Sequence, residues 1–250
     1  NVAVGASAMA ANTTGYDNTG IGRFALKENT IGANNTAVGS GALDANTEGN
    51  SNAALGLNAL GANTTGGDNA SFGYLSMRDN TTGGNNTALG SSALRENTTA
   101  SNNTGIGKSA LTANTTGANN TAVGYISLSV NTTGNNNSSF GSQSLINNTT
   151  GSSNTAVGIL ALELNTTADN NTAVGRSALQ ANTTGAENTA LGSLALDANT
   201  TADNNTGIGY QCLTSNTTGA GNTGIGRRAL FNNTTADNNT AVGLNSLVSN

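Results

Sequence analysis

The chain has 250 residues, and 44 Asn, 39 Thr and 34 Gly make up nearly half of it. Eight basic residues against thirteen acidic ones give a net charge of −5, which excludes the basic surface of a nucleic-acid-binding protein. The chain has no His and a single Cys, Cys212, so zinc sites, thiolate clusters and disulfide frameworks are excluded, and no apolar run approaches the ~18 residues of a membrane span. We expect no metal, no cofactor and no catalytic residues.

An internal repeat of 17 residues accounts for the whole sequence. Every seventeenth residue from Asn1 to Asn239 is Asn, without insertion or deletion, and the consensus is N-T-A-V-G-x-x-A-L-x-x-N-T-T-G-x-N. Residues are assigned below to positions 1 to 17 of this repeat, and the residues that share a position form a column. The sequence predicts one repeat array over residues 1–250. Because its first residue is Asn1, we expect it to be a piece of a longer protein.

A period of 17 residues selects the architecture. Helical-pair repeats need about 33 residues, and coiled coils need an apolar period of 7 or 11 residues, so both are excluded. A stack of identical coils fits, with a strand in each coil and a rise of ~4.8 Å per coil. The sequence predicts an all-β parallel β-solenoid (β-roll) of fourteen to fifteen coils that assembles into an oligomeric fibre.

The repeat positions, taken in order, predict an inside and an outside. Asn at positions 1 and 12 is expected to point inward or to lie at corners, in hydrogen-bonded ladders. Gly at positions 5 and 15 is expected to turn the corners. The large apolar residues of positions 4 and 9 are expected to form two interior columns, which begin with Val4, Ile21 and Val38 and with Met9, Leu26 and Leu43 respectively.

Positions 6 to 11 leave a short helical turn open in each coil. Residues 23–28, 91–96 and 176–181 are mostly good helix formers, and each segment is followed by an Asn that suits a left-handed cap. All eight Lys and Arg lie at positions 6, 7 and 10 of the repeat, which is typical of an exposed surface.

The Asn-Thr-Thr triplets admit two functional interpretations beside a structural one. Their Thr columns are a candidate ice-binding ladder, although position 2 is Thr in only eleven of fifteen units. Twelve triplets also satisfy the N-x-S/T sequon and are candidate glycan acceptors in a secreted chain. The candidate acceptors are Asn12, Asn63, Asn80, Asn97, Asn114, Asn131, Asn148, Asn165, Asn182, Asn199, Asn216 and Asn233.

Other polar residues favour structural roles. Asp169, Asp203 and Asp237 share a T-T-A-D-N-N string that does not match the calcium-binding repeat G-G-x-G-x-D, so we interpret them as exposed turn residues. Cys212 replaces the Ala or Ser of position 8, and the chain has no His to activate it.

The strings N-T-A-V-G-x-x-A-L and N-T-T-G-x-x-N-T-A-V-G resemble repeats of phage and bacterial tail-fibre-like surface proteins. N-T-A-V-G and N-T-G-I-G are also similar to the S-V-A-I-G repeats in the heads of trimeric autotransporter adhesins, and G-x-x-A-L-x-x-N is more weakly similar to G-x-x-A-F-x-x-C of some bacterial leucine-rich repeats. The first two resemblances imply an extracellular homotrimeric fibre of parallel β-rolls.

We therefore expect a non-enzymatic shaft of an extracellular fibre, appendage or adhesin, located at a cell surface or in a virion fibre. An ice-binding solenoid and a carbohydrate-binding shaft of a phage tail fibre remain alternatives. The expected partners are further copies of the chain, as a trimer or filament, with a host-surface glycan or receptor left open. Apolar residues at position 7 are expected nearer to the neighbouring copy than Lys27, Arg78 or Arg95; these are Phe24, Leu75, Ile126, Leu160 and Leu194.

Overall fold

The computed structural model describes residues 1–249, so Asn250, the last Asn of the position-12 column, lies outside the described residues. The chain divides into two compact units, Asn1–Asn120 and Thr121–Asn250, which are described separately. In both units the strands are parallel and follow each other in sequence order, one to a coil. This confirms the predicted β-solenoid.

Every strand covers positions 2 to 4 of its repeat unit. The first unit contains β1 (Val2–Val4), β2 (Thr19–Ile21), β3 (Thr36–Val38), β4 (Ala53–Leu55), β5 (Ala70–Phe72), β6 (Thr87–Leu89) and β7 (Thr104–Ile106). The second contains β8 (Thr121–Val123), β9 (Ser138–Phe140), β10 (Thr155–Val157), β11 (Thr172–Val174), β12 (Thr189–Leu191), β13 (Thr206–Ile208), β14 (Thr223–Ile225) and β15 (Thr240–Val242).

The 17-residue period fixes the strand register. Val157 of β10 pairs with Val174 of β11, which in turn pairs with Leu191 of β12. The same offset joins the neighbouring strands of the first unit, as in the pairing of Val4 with Ile21. Each column of the repeat therefore becomes a row of side chains along the stack of coils in each unit.

The helical turn left open at positions 6 to 11 does not form, and residues 1–249 contain no helix. The backbone is left-handed at positions 7 and 9, with φ of 62° at Phe24 and 51° at Leu26, whereas a right-handed helix needs negative φ. Hydrogen bonds to other coils also replace those of a helix, since Leu26 N–H donates to the carbonyl of Ala42 at 3.0 Å. Segments 23–28, 91–96 and 176–181 are consequently successions of turns.

The interior contains only one of the two large apolar columns that the sequence predicts. Position 9 is buried as expected in every coil but the last, with Leu26 and Leu43 fully enclosed and Met9 only 9% exposed, whereas Leu247 is 44% exposed. The prediction for position 4 is wrong, because ten of its fifteen residues are exposed, among them Val4 at 56% and Ile21 at 40%. Position 4 therefore belongs to the surface.

The strand alternation explains this error. Neighbouring residues of a strand point to opposite faces, so one of positions 3 and 4 must point outward. Position 3 is always Ala, Gly or Ser and is buried in every coil after the first. Space there is short: a Cβ on Gly20 would lie 3.1 Å from Cε of Met9, and one on Gly224 would lie 2.5 Å from Sγ of Cys212. Besides the Asn side chains of positions 1 and 12, a coil of this length encloses one large apolar side chain at position 9 and two small residues at positions 3 and 8.

The corner after each strand requires glycine. Position 5 has φ between 124° and 145° in all fifteen coils, a region that L side chains rarely adopt. A Cβ on Gly175 would also lie 2.6 Å from the carbonyl carbon and oxygen of Gly192 in the next coil. Position 15 is less strict, since Ala100, Ala168, Ala202 and Ala236 occupy this column.

Gly175→Ala should lower the free energy of unfolding by about 3 kcal/mol, because it combines an unfavourable φ with a backbone clash. Urea denaturation followed by circular dichroism measures the change. Gly185→Ala at position 15 is the matched control: a Cβ there would also meet a carbonyl, Ala202 O at 2.4 Å, but its φ is not left-handed and Ala occupies this column in four other coils, so it should lower the free energy of unfolding by less than Gly175→Ala does. Equal losses in the two variants would contradict the requirement for glycine at position 5.

Candidate functional site

The two Asn columns form the predicted ladders, and their amides meet at a single carbonyl in each coil. Gly185 O accepts hydrogen bonds from Nδ2 of Asn171 at position 1 and from Nδ2 of Asn182 at position 12, at 2.9 and 2.8 Å. Asn182 Nδ2 also donates to Asn165 Oδ1 of the preceding coil at 3.0 Å. Side chains that are fully buried thus close the coil and join it to its neighbour.

The ladder at position 1 uses the backbone as well. Asn171 Oδ1 accepts the N–H of Asn188 in the next coil at 2.9 Å, and the N–H of Asn171 donates to Asn154 Oδ1 at 3.0 Å. The prediction that these Asn residues bond backbone groups or the next Asn is confirmed. Every buried amide in this ladder supplies both a donor, Nδ2, and an acceptor, Oδ1, whereas an ionised Asp of the same shape supplies acceptors only and Ala supplies neither.

The Thr column at position 13 bonds to the neighbouring coil. Thr30 O accepts the N–H groups of Thr13, Thr14 and Gly15 at 2.9 to 3.2 Å and the hydroxyl of Thr13 at 2.9 Å. Hydroxyls of this column are therefore engaged within the chain. The Thr residues of position 2 instead lie on the outward side of the strands.

Asn171→Ala should lower the free energy of unfolding by about 1–3 kcal/mol, because the buried N–H of Asn188 loses its acceptor. Hydrogen exchange should accelerate in the coils on either side of the substitution. Asn232→Ala, at an exposed position 11 where Ala is common, is the control and should have little effect. If both variants unfolded with the same free energy as the wild type, the result would contradict a stabilising role of the Asn ladder.

The candidate glycan acceptors belong to the position-12 ladder. Asn12 is half-buried, and the other eleven are fully buried. Asn199 Nδ2, the atom that would carry the sugar, donates to Asn182 Oδ1 and to Ala202 O at 2.9 and 3.0 Å. A glycan on such an amide would displace both hydrogen bonds, and glycosylation at the twelve residues stays a prediction.

The three Asp residues of the T-T-A-D-N-N strings bond to backbone. Each Oδ1 accepts the N–H of the residue 17 positions earlier: Asp169 from Ser152 at 2.6 Å, and Asp203 and Asp237 from alanines at 2.7 Å. Within residues 1–249, no group of three or more His, Cys, Asp or Glu side chains is placed to hold a metal ion.

Two clusters of buried Ser hydroxyls are not predicted above. Ser71 and Ser76 face each other with their hydroxyl oxygens 2.6 Å apart, and Ser139 and Ser144 do the same four coils later. Ser127 joins the second cluster through Ser139 Oγ at 2.8 Å. The sequence contains a signal for these clusters, because Ser at position 3 occurs only in coils that also have Ser at position 8.

Cys212 is fully buried in the position-8 column. Burial raises the pKa of its thiol to about 11, so the thiol stays protonated near neutral pH. Its Sγ contacts Ala229 O at 3.4 Å.

The surface feature that repeats in every coil is the outward side of the strands. We call this surface the outer face and define it as the residues at positions 2 and 4 of each 17-residue repeat. After Val2, it presents a row of Thr, Ala or Ser beside a row of Val, Ile, Leu or Phe, and it contains no charged residue. Exposed fractions of 48% at Leu55, 50% at Leu89 and 47% at Leu191 are large for apolar side chains that recur at every coil.

Other exposed apolar side chains are scattered. Tyr74, Tyr125 and Tyr210 at position 6 are about half exposed, while the position-7 residues such as Phe24 and Ile126 are half-buried. No pocket is found among the described residues, and no helix there is long and apolar enough to cross a membrane. The outer face is therefore the candidate functional surface.

Comparisons of the chain with protein-family models, with curated proteins and with solved structures give no significant match.

Proposed function

We propose that the chain is a non-catalytic structural shaft of an extracellular fibre, appendage or adhesin, and that copies of it associate laterally. The observation that carries the proposal is the outer face, where a large apolar residue recurs in all fifteen coils and is exposed in ten of them. Contiguous apolar surface of this kind marks interaction sites on soluble proteins.

Side-chain volumes on the outer face support packing against a partner. Phe occurs twice at position 4, and in both coils position 2 is smaller than the usual Thr: Ala70 accompanies Phe72, and Ser138 accompanies Phe140. Such compensation keeps the volume of a coil's outward pair nearly constant. A constant volume matters where another surface packs on the face, since interiors and interfaces are close-packed.

The repetitive architecture and the fibre-like strings support the shaft. Identical coils extend a structure along one direction, each contacting only its neighbours. The strings N-T-A-V-G and N-T-T-G resemble repeats of tail-fibre-like and adhesin surface proteins, which favours an extracellular location. A homotrimer or a filament is the form of association that this resemblance favours.

Val157→Lys should weaken self-association at least tenfold, because it places a charge in an apolar contact. Sedimentation equilibrium of the wild type and the variant measures the change. The matched control is Leu164→Lys in the same coil, since Leu164 is 41% exposed, Val157 is 37% exposed, and Leu164 lies at position 11 away from the outer face. The control should change the dissociation constant by less than about twofold.

A wild-type chain that stays a folded monomer at micromolar concentration would refute the lateral association. Equal weakening by both substitutions would refute the assignment of the contact to the outer face.

Ice binding is the second candidate, because the Thr residues of position 2 stand in register, as in the pairing of Thr155 with Thr172 and of Thr172 with Thr189. Two observations disfavour ice binding. The position-4 row beside the Thr row varies in size from Val to Phe and is therefore not flat, and Ala53 and Ala70 interrupt the Thr row. If the chain is a structural shaft, we expect no gap between the melting and freezing temperatures of a solution of the protein. A gap that Thr172→Lys removes would favour ice binding instead.

A further inference from the structure

The charged residues that flank the outer face are segregated by sign. Positions 6 and 7, which follow the corner glycine at the end of each strand, carry only cations; we call them the cationic margin, and its members are Arg23, Lys108, Arg176, Arg227 and Arg228. Positions 16 and 17, which precede the next strand, carry only anions; we call them the acidic margin, and its members are Asp17, Asp68, Asp169, Glu187, Asp203 and Asp237.

These charges are open to solvent and lie apart within one chain. All six members of the acidic margin are exposed, as are Arg23, Lys108, Arg176 and Arg227. The ion pairs found within residues 1–249 join adjacent residues at positions 10 and 11, such as Arg78 with Asp79, and involve neither margin. The two margins are therefore separated by the uncharged outer face.

We infer that copies of the chain associate through their outer faces around a rotation axis parallel to the stack of coils, so that all copies point in the same direction. This inference rests on the proposed self-associating shaft and specifies how its copies are arranged. If the axis is twofold, the strands of the two copies run in opposite directions across the contact. The cationic margin of one copy then lies opposite the acidic margin of the other. A threefold axis along the stack also joins unlike margins.

The opposite arrangement is disfavoured by charge. Copies related by an axis along the strands would have antiparallel stacks, and each margin would face its own equivalent. Arginines would then meet arginines, and carboxylates would meet carboxylates. Like charges in this position oppose association and suppress the wrong partner orientation.

The heights of the charges along the stack agree with an in-register arrangement. Seventeen residues correspond to a rise of ~4.8 Å, so residues less than one coil apart in sequence have nearly the same height. Arg23 and Asp17 are six residues apart, and Arg176 lies between Asp169 and Glu187 in sequence. A rotation about the stack axis keeps heights unchanged, so these unlike charges meet between copies.

The remaining members of the margins agree in part. Arg227 and Asp237 are ten residues apart and also share a height, whereas Lys108, Asp68 and Asp203 have no counterpart within one coil. The outer face of the eight strands in the second unit measures roughly 38 by 10 Å, on the order of 400 Å², which is within the range of about 300–600 Å² of the largest and often functional patch on a typical protein.

The test uses two single charge reversals on opposite margins, Arg176→Glu and Glu187→Lys. Each variant alone should associate roughly fivefold more weakly than the wild type, because like charges then meet at every contact. A one-to-one mixture should associate more tightly, since the glutamate introduced by R176E faces the lysine introduced by E187K. Native mass spectrometry with a mass tag on one variant counts mixed and unmixed oligomers.

Mixed oligomers in excess of their statistical share, with the excess lost at high salt, are the expected result. Statistical mixing, or tighter association of Arg176→Glu alone, would overturn the parallel arrangement and leave the shaft standing. If the wild type itself stays monomeric, the proposed function fails, and the inference fails with it. Lys108→Glu is the control, because Lys108 has no acidic counterpart within one coil, and it should not alter the mixing.

Discussion

Side-chain amides at the corners hold this fold together. In each coil, Asn side chains from positions 1 and 12 converge on one carbonyl, and the same side chains bond to the coil before or after, as Asn171 and Asn182 do around Gly185. A short coil cannot bury enough apolar surface to hold its own backbone, because position 9 supplies its one large buried apolar side chain. Fully satisfied hydrogen bonds inside a low-dielectric interior fill this role.

The thin interior also determines the surface. Because the strand turns its small residue inward at position 3, the large residue at position 4 must point outward, as Leu55 and Leu191 do. The same constraint that makes the coil stackable leaves it with an apolar, uncharged outer face. Lateral packing of copies would bury this face, and the charges that flank it are arranged to orient that packing.

Much of the fold could be predicted from the sequence, because an uninterrupted period of 17 residues determines stacking, register and columns. Burial of Leu26 and of Asn182 is predicted correctly, since a column that holds only Leu and Met, or only Asn, implies a constant environment. Val4 was misplaced because apolar character alone does not distinguish a core from an interface, and the small residues of position 3 were the better signal. The turns at Phe24 and Leu26 were missed because helix propensity does not reveal left-handed φ.

Packing through the outer face is tested most directly by electron cryomicroscopy of the assembled wild-type chain. Parallel packing around the stack axis predicts density in which Val157 and Val174 contact a second copy and coils of equal number lie at the same height. Density in which the position-4 side chains face solvent would contradict it.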